Sequence, residues 1–176
     1  MVLTSQELLQ RHEASLSGGF TPIPYFSELT PDQMPRMLII TCADPRCIPE
    51  NIFGLKTGEA VVLRDAGGNA QFLLEHILSI DSLVRFTECI IVQHTDCGAT
   101  HFRDAVVKQG LRERAPGAEK QIDGMTFGEI TGSLDDNVKK SIAFLRESPL
   151  VSDTIKKNIR GFVFDIKTGE LKEVKA

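Results

Sequence analysis

Apolar residues in this chain fall into short unbroken runs, separated by stretches of helical period. The first run is Met37-Leu-Ile-Ile-Thr41, and residues 60–64, 88–93 and 159–166 supply three more. Runs apolar at every position, rather than at alternate ones, are the pattern of strands buried on both faces of a parallel sheet. Lys167-Thr-Gly-Glu170 then turns the chain into a short final strand at residues 171–174. Between the second and third runs, Leu73, Ile77, Ile80 and Val84 recur at helical spacing and predict a crossover helix with one buried face. Residues 99–109 predict another helix, with Gly110 as its stop, and residues 111–132 read as an irregular insertion. Ser133 and Asp136 resemble a capping box that opens a helix to about Glu147, with Pro149 beyond it. Strands alternating with helices predict an α/β fold: a central, mainly parallel β-sheet flanked by helices.

Ahead of the first strand the pattern weakens. Thr4 to Ser15 is a weakly amphipathic helical segment, suited to an arm that packs on a partner subunit. Gly18-Gly19 ends it, and Pro22, Pro24, Pro31 and Pro35 mark the stretch that follows as loop. With no repeat, low-complexity tract or linker in view, residues 1–176 are expected to form a single domain, residues 1–36 being its helical arm and loop.

Composition narrows the function. Apolar residues at 41% and charged residues at 25% are ordinary for a globular protein and exclude disorder along the whole chain. The net charge is −4 with the basic residues scattered, so no stripe tracks a phosphate backbone and no nucleic-acid partner is expected. No apolar run approaches the roughly 18 residues of a membrane span, so no membrane partner is expected either. The N-terminus carries Glu7 and Glu13 and lacks a signal-type apolar stretch, which points to the cytoplasm, where thiols stay reduced. The four cysteines, Cys42, Cys47, Cys89 and Cys97, are then candidates for metal binding, catalysis or plain burial.

Two of them stand where strands end. The first strand runs into Cys42-Ala-Asp44-Pro-Arg46, and the third into His94-Thr-Asp96-Cys97-Gly98. Both segments leave a parallel sheet at its carboxyl edge, where ligands collect. Each cysteine alone reads equally as a small buried hydrophobe, and His-x-x-Cys alone is a weak signal. Together, two thiolates and an imidazole make a soft donor set suited to zinc, Zn(2+), with one coordination position left open. Asp44 and Arg46 can pair through a planar two-point contact, or stand as a surface ion pair of little consequence. Gly67 and Gly68, after the second strand, read as a tight turn whose backbone can approach the site or hold an anion. The full dinucleotide fingerprint is missing, so no nucleotide cofactor is inferred. Cys47 and Cys89 read as buried, with Cys47 open to a redox role. His12 and His76 read as structural or solvated, His101 as a candidate proton relay, and Asp96 as an orienting residue. Phe53, Phe72 and Leu73 are candidate pocket walls.

Taken in order, Cys42-x-Asp44-x-Arg46, Arg64-x-Ala66-Gly67-Gly68-Asn69 and His94-x-x-Cys97-Gly98 resemble the β-class carbonic anhydrases, including their carbonyl sulfide and carbon disulfide hydrolase relatives. Asn137-Val138, Ser148-Pro149 and the segment from Gly161 to Gly169 are similar to that family's ending, so the likeness spans roughly residues 37 to 172. Pro45 departs from the serine usual in the family. The resemblance implies that Cys42, His94 and Cys97 bind zinc and that Asp44 and Arg46 form the catalytic dyad. It implies hydration of carbon dioxide to bicarbonate by zinc-activated water, with Gly98, Gly67 and Gly68 toward the substrate. The alternative is hydrolysis of carbonyl sulfide or carbon disulfide at the same site, and a non-catalytic zinc module is a third reading. The implied partners are a small linear triatomic substrate, CO2 or COS, and further copies of the chain, as a homodimer, homotetramer or larger assembly of dimers.

Overall fold

The computed structural model describes residues 3–176. They divide into two compact units between Gln33 and Met34. The first contains helix α1, Ser5–Ser17. Its start is chemically marked: Thr4 accepts from the Glu7 amide, and the Glu7 carboxylate accepts from the Thr4 amide. This reciprocal cap satisfies two of the donors that a helix start leaves unpaired.

The second unit is built on five strands: β1 Met37–Cys42, β2 Ala60–Asp65, β3 Glu88–His94, β4 Ile159–Phe164 and β5 Leu171–Val174. Their spatial order is β2-β1-β3-β4-β5. The first four run parallel and β5 returns antiparallel to β4. The chain moves from β1 to one side to make β2, then crosses to the other side of β1 for β3. The carboxyl ends of β1 and β3 therefore flank the switch point of the sheet, the crevice where ligands bind in open α/β folds.

Helices follow the strands. A one-turn helix α2, Pro49–Phe53, comes after β1, and α3, Leu74–Val84, connects β2 to β3. After β3 come α4, Asp104–Arg114, and the short α5, Glu119–Asp123. Then α6, Leu134–Glu147, and α7, Asp153–Lys157, lead into β4. The main core joins Leu38 and Ile40 of β1 and Ile91 of β3 to Ile77 of α3 and to Val138, Ile142 and Leu145 of α6. No helix among the described residues is long and apolar enough to cross a membrane.

The helix expected over 99–109 is displaced. Residues 98–100 form a 3-10 turn, and α4 starts only at Asp104 and runs through Gly110 to Arg114. Gly110 is not a stop, because glycine inside a helix costs only about 1 kcal/mol and the helix continues past it. The expected irregular insertion accordingly contains the end of α4 and all of α5. The fourth strand ends at Phe164 rather than Ile166, since the Asp165 carboxylate accepts from the amides of Lys167 and Thr168 and bends the chain there. Two one-turn helices, α2 and α7, carry too few apolar positions to show a period.

One glycine in the sheet is required by packing. A Cβ on Gly161 of β4 would lie 2.3 Å from Val138 Cγ1 and 2.7 Å from Ile142 Cδ1. Here α6 presses directly onto the strand. Gly161→Ala is expected to cost about 3 kcal/mol, the upper end of the overpacking range, and to lower Tm by roughly 6–12 °C. A melting curve within about 2 °C of wild type would show that α6 can back away at no cost.

Candidate metal centre

Cys42 is the last residue of β1 and His94 the last of β3, while Cys97 lies three residues beyond. Their three ligand atoms lie within 4.8 Å of one another, and all three residues are buried. The two Sγ atoms are 3.6 Å apart. His94 Nδ1 donates to the Thr95 carbonyl at 2.9 Å, since a carbonyl can only accept. That leaves the lone pair on Nε2, which is buried and has no hydrogen-bond partner. An orphaned buried nitrogen is costly, and its place beside two sulfurs is that of a metal ligand. The donor set also fits zinc electrostatically. The bond between the sulfurs draws the Cys42 thiol strongly down and pushes Cys97 up, so the pair resists a second ionisation. A dication between them removes that cost. For His94, burial disfavours the charged ring, but the Cys42 sulfur, the Thr95 carbonyl and the Asp44 carboxylate together outweigh it and the net shift is upward.

The backbone is arranged around Cys42. The amides of Asp44 and Gly67 both point at its Sγ, each at 3.4 Å. Gly67 has φ 98° and Gly68 φ 68°, a region that favours glycine. A Cβ on Gly68 would sit 3.1 Å from both Thr41 C and Cys42 N. The two glycines thus let one loop press against β1 and aim an N–H at the sulfur. Gly67 also walls the adjoining cavity, whereas Gly68 does not. Arg64 braces the same turn, donating to the carbonyls of Cys42, Asp44 and Cys47.

The turn after β1 closes with a Cys47 N–H to Asp44 carbonyl bond at 3.0 Å. Pro45 takes the second position, where its fixed φ suits the turn and its missing N–H is not needed. With proline here, the hydrogen bonds between Asp44 and Arg46 still form. Arg46 Nε and Nη2 meet the two oxygens of Asp44 at 2.9 and 2.8 Å, and the Arg46 amide adds a third bond at 2.8 Å. The Arg46 hydrogen bonds hold the Asp44 carboxyl well below the usual carboxylate range, against the opposing effect of burial. Asp44 Oδ2 lies 3.8 Å from His94 Nε2, so the carboxylate borders the ligand atoms while facing the guanidinium.

Arg46 has a second acceptor that sequence reasoning missed. Its Nη1 and Nη2 donate to the Asp96 carboxylate and carbonyl, both at 2.9 Å. Asp96 takes φ 54° to offer both. His101 lies on this outer side, its Nε2 3.2 Å from Asp96 Oδ1. His12 and His76 are exposed. Cys47 and Cys89 are fully buried; burial pushes Cys89 up to about 12 and raises Cys47 as well, so neither is a reactive thiol.

A cavity of about 270 Å³ opens beside Cys42 and Asp44, with Ala66, Gly67, Gly98 and Phe102 among its walls. Phe102 is the aromatic residue at the site. Of the wall residues expected, Leu73 belongs to the main core, Phe72 is exposed, and Phe53 lies on α2; none lines this cavity. Phe102 follows the metal loop by five residues, a position that no periodicity marks.

A mainly parallel sheet flanked by helices, with a Cys–His–Cys cluster at its switch point, defines a class, the α/β proteins with a soft-donor group able to hold a metal. The carbonic anhydrase family profile matches residues 37–171. A β-carbonic anhydrase of Mycobacterium tuberculosis is 33% identical over 137 residues, covering 77% of this chain and 80% of its own. A carbon disulfide hydrolase of Acidianus is 28% identical over 160 residues, covering 78% and 76%. The solved carbonic anhydrase of Glaciozyma antarctica superposes with a TM-score of 0.82 at 27% identity, over 99% of this chain and 100% of that one. The chain belongs to the β-class carbonic anhydrase family and is an enzyme of that family.

Proposed function

We propose that this enzyme hydrates carbon dioxide to bicarbonate, releasing one proton, with zinc held by Cys42, His94 and Cys97. The observation that carries this reading is the convergence of three buried donor atoms within 4.8 Å, next to a carboxylate tied to Arg46. Zinc bound there supplies a Lewis acid that acidifies water at neutral pH. Asp44, kept ionised by Arg46, accepts a hydrogen bond from the attacking water and so fixes which lone pair faces the carbon. A linear triatomic molecule offers little to hydrogen-bond, and the apolar side chains of Ala66, Ala99 and Phe102 give it a fitting wall. We assign the Gly98 N–H to the product anion. The proposal extends to a cytoplasmic homo-oligomer, dimer or tetramer, and the four free cysteines accord with a reducing compartment.

A second reading uses the same site to hydrolyse carbonyl sulfide or carbon disulfide, with water, to sulfide and carbon dioxide. The likeness to the Acidianus carbon disulfide hydrolase supports a sulfide-releasing reaction of this kind. Rates of carbon dioxide hydration and of sulfide release, measured side by side on zinc-loaded protein, separate the two. Fast hydration with negligible sulfide release is expected. Fast sulfide release with feeble hydration would assign the chain to the hydrolases. Zinc uptake with neither activity would make it a zinc-binding module.

A further inference from the structure

Residues 125–130 carry no regular structure, yet their backbone is held firmly. Asp104, the first residue of α4, accepts from the Phe127 amide at 3.0 Å and from the Glu129 amide at 3.4 Å. Glu129 answers by accepting the Asp104 amide at 2.7 Å. That amide is one a helix start leaves unpaired, and a carboxylate there also meets the favourable end of the helix dipole. The two carboxylates thus form a reciprocal latch between α4 and the strap. Gly128, at φ 76°, lies against the glycine loop; a Cβ there would meet Phe72 at 2.9 Å and Ala66 O at 3.2 Å.

The strap ends in Ile130, whose amide donates to the Ala99 carbonyl at 2.9 Å. Ile130 is 2% exposed and packs in a small cluster with Cys42, Cys97 and Ala99, separate from the main core. Its Cδ1 reaches within 3.3 Å of where a Cβ on Gly67 would stand. An apolar side chain is therefore clamped in the same buried cluster as Cys42 and Cys97.

We propose that this latched strap keeps water off the metal-binding sulfurs, with Ile130 as the positioning residue and Asp104 and Glu129 as the groups that hold it there. The inference rests on the reading of Cys42, His94 and Cys97 as zinc ligands. Apolar surroundings control solvent access to a metal's ligands, and loss of the hydrogen-bonding groups that support those ligands typically costs 10- to 100-fold in affinity or activity, a scale expected for the strap as well.

The test measures zinc release from the loaded protein to a chromophoric chelator, well below Tm, with melting curves recorded alongside. Ile130→Ala and Asp104→Asn are each expected to speed release by about 10- to 100-fold, with Ile130→Val close to wild type. Glu129→Ala provides an independent break of the latch, because it removes the acceptor of the Asp104 amide and leaves Ile130 unaltered. A strap that is merely structural would lower Tm in these variants while release stays at the wild-type rate, and that result overturns the proposal. Alkylation of Cys42 and Cys97 by iodoacetamide in metal-free protein separates the two inferences. Should wild type take up no zinc, the ligand reading falls, and equal alkylation rates in wild type and Ile130→Ala would then sink the strap on its own terms.

Discussion

Cys42→Ser is expected to fold, to hold zinc far below one equivalent, and to lose carbon dioxide hydration and carbonyl sulfide hydrolysis together, each by more than about 100-fold. The reason lies in what serine cannot do. Cys42 is drawn down toward the thiolate by the bond from Cys97 and, less strongly, by the amides of Asp44 and Gly67. A serine hydroxyl accepts those bonds but does not ionise near neutral pH, and a neutral hydroxyl is a poor replacement for a soft anion at zinc. Two donors then remain, too few for a tetrahedral site with one open position. Cys89→Ser supplies the contrast. Its sulfur is equally buried but has no part in the donor cluster, so that variant loses stability and keeps its zinc. Metal content by elemental analysis, read beside both activities, decides the matter. A zinc-loaded Cys42→Ser protein with full activity would remove Cys42 from the ligand set.

The sheet was legible because β1, β2 and β3 each hold an unbroken run of four apolar residues, and apolar runs bounded by glycine, proline and polar turns have few other readings. The convergence of the donor residues was legible for a related reason: a strand end fixes where the next residue stands, so Cys42 and His94 could be brought to one edge without knowledge of side-chain packing. What surrounds the site was not. Arg46 reaches Asp96 across fifty positions of chain, and Asp96 accepts it only by adopting a backbone conformation with positive φ. Neither fact has a local signature. Phe102 and Ile130 come from segments of no clear period and reach the sulfurs through loop geometry. Gly110 misled because a glycine in a sequence is the same letter whether it ends a helix, as Gly54 does at φ 63°, or merely weakens one. Gly67 and Gly68 read as a tight turn, and the N–H that Gly67 aims at Cys42 is visible only once the loop is seen packed on β1.

Arg46→Lys is expected to retain one equivalent of zinc and to lose about 100-fold or more in kcat/KM. Charge is conserved in this substitution, so a purely Coulombic role would survive it. The geometry would not. Arg46 makes two parallel bonds to Asp44 and two more to Asp96, a planar arrangement that a single ammonium cannot reproduce. Without the fork, Asp44 is free to rotate toward His94 Nε2, which lies 3.8 Å away, and the carboxylate no longer aims the attacking water. Asp44→Asn should lose a similar factor by a different route: the amide keeps the shape but replaces one acceptor oxygen with an NH2 that opposes the guanidinium. If the pair works as one device, the double variant Asp44→Asn/Arg46→Lys loses no more than the worse of the two single variants, because the second change removes what the first has already disabled. Additive losses, with the double variant down by the product of both factors, would instead mean that each residue acts on the reaction separately. Zinc content must stay at one equivalent in all three proteins for the cycle to be read this way, and it is expected to, because neither Asp44 nor Arg46 belongs to the Cys42–His94–Cys97 donor group.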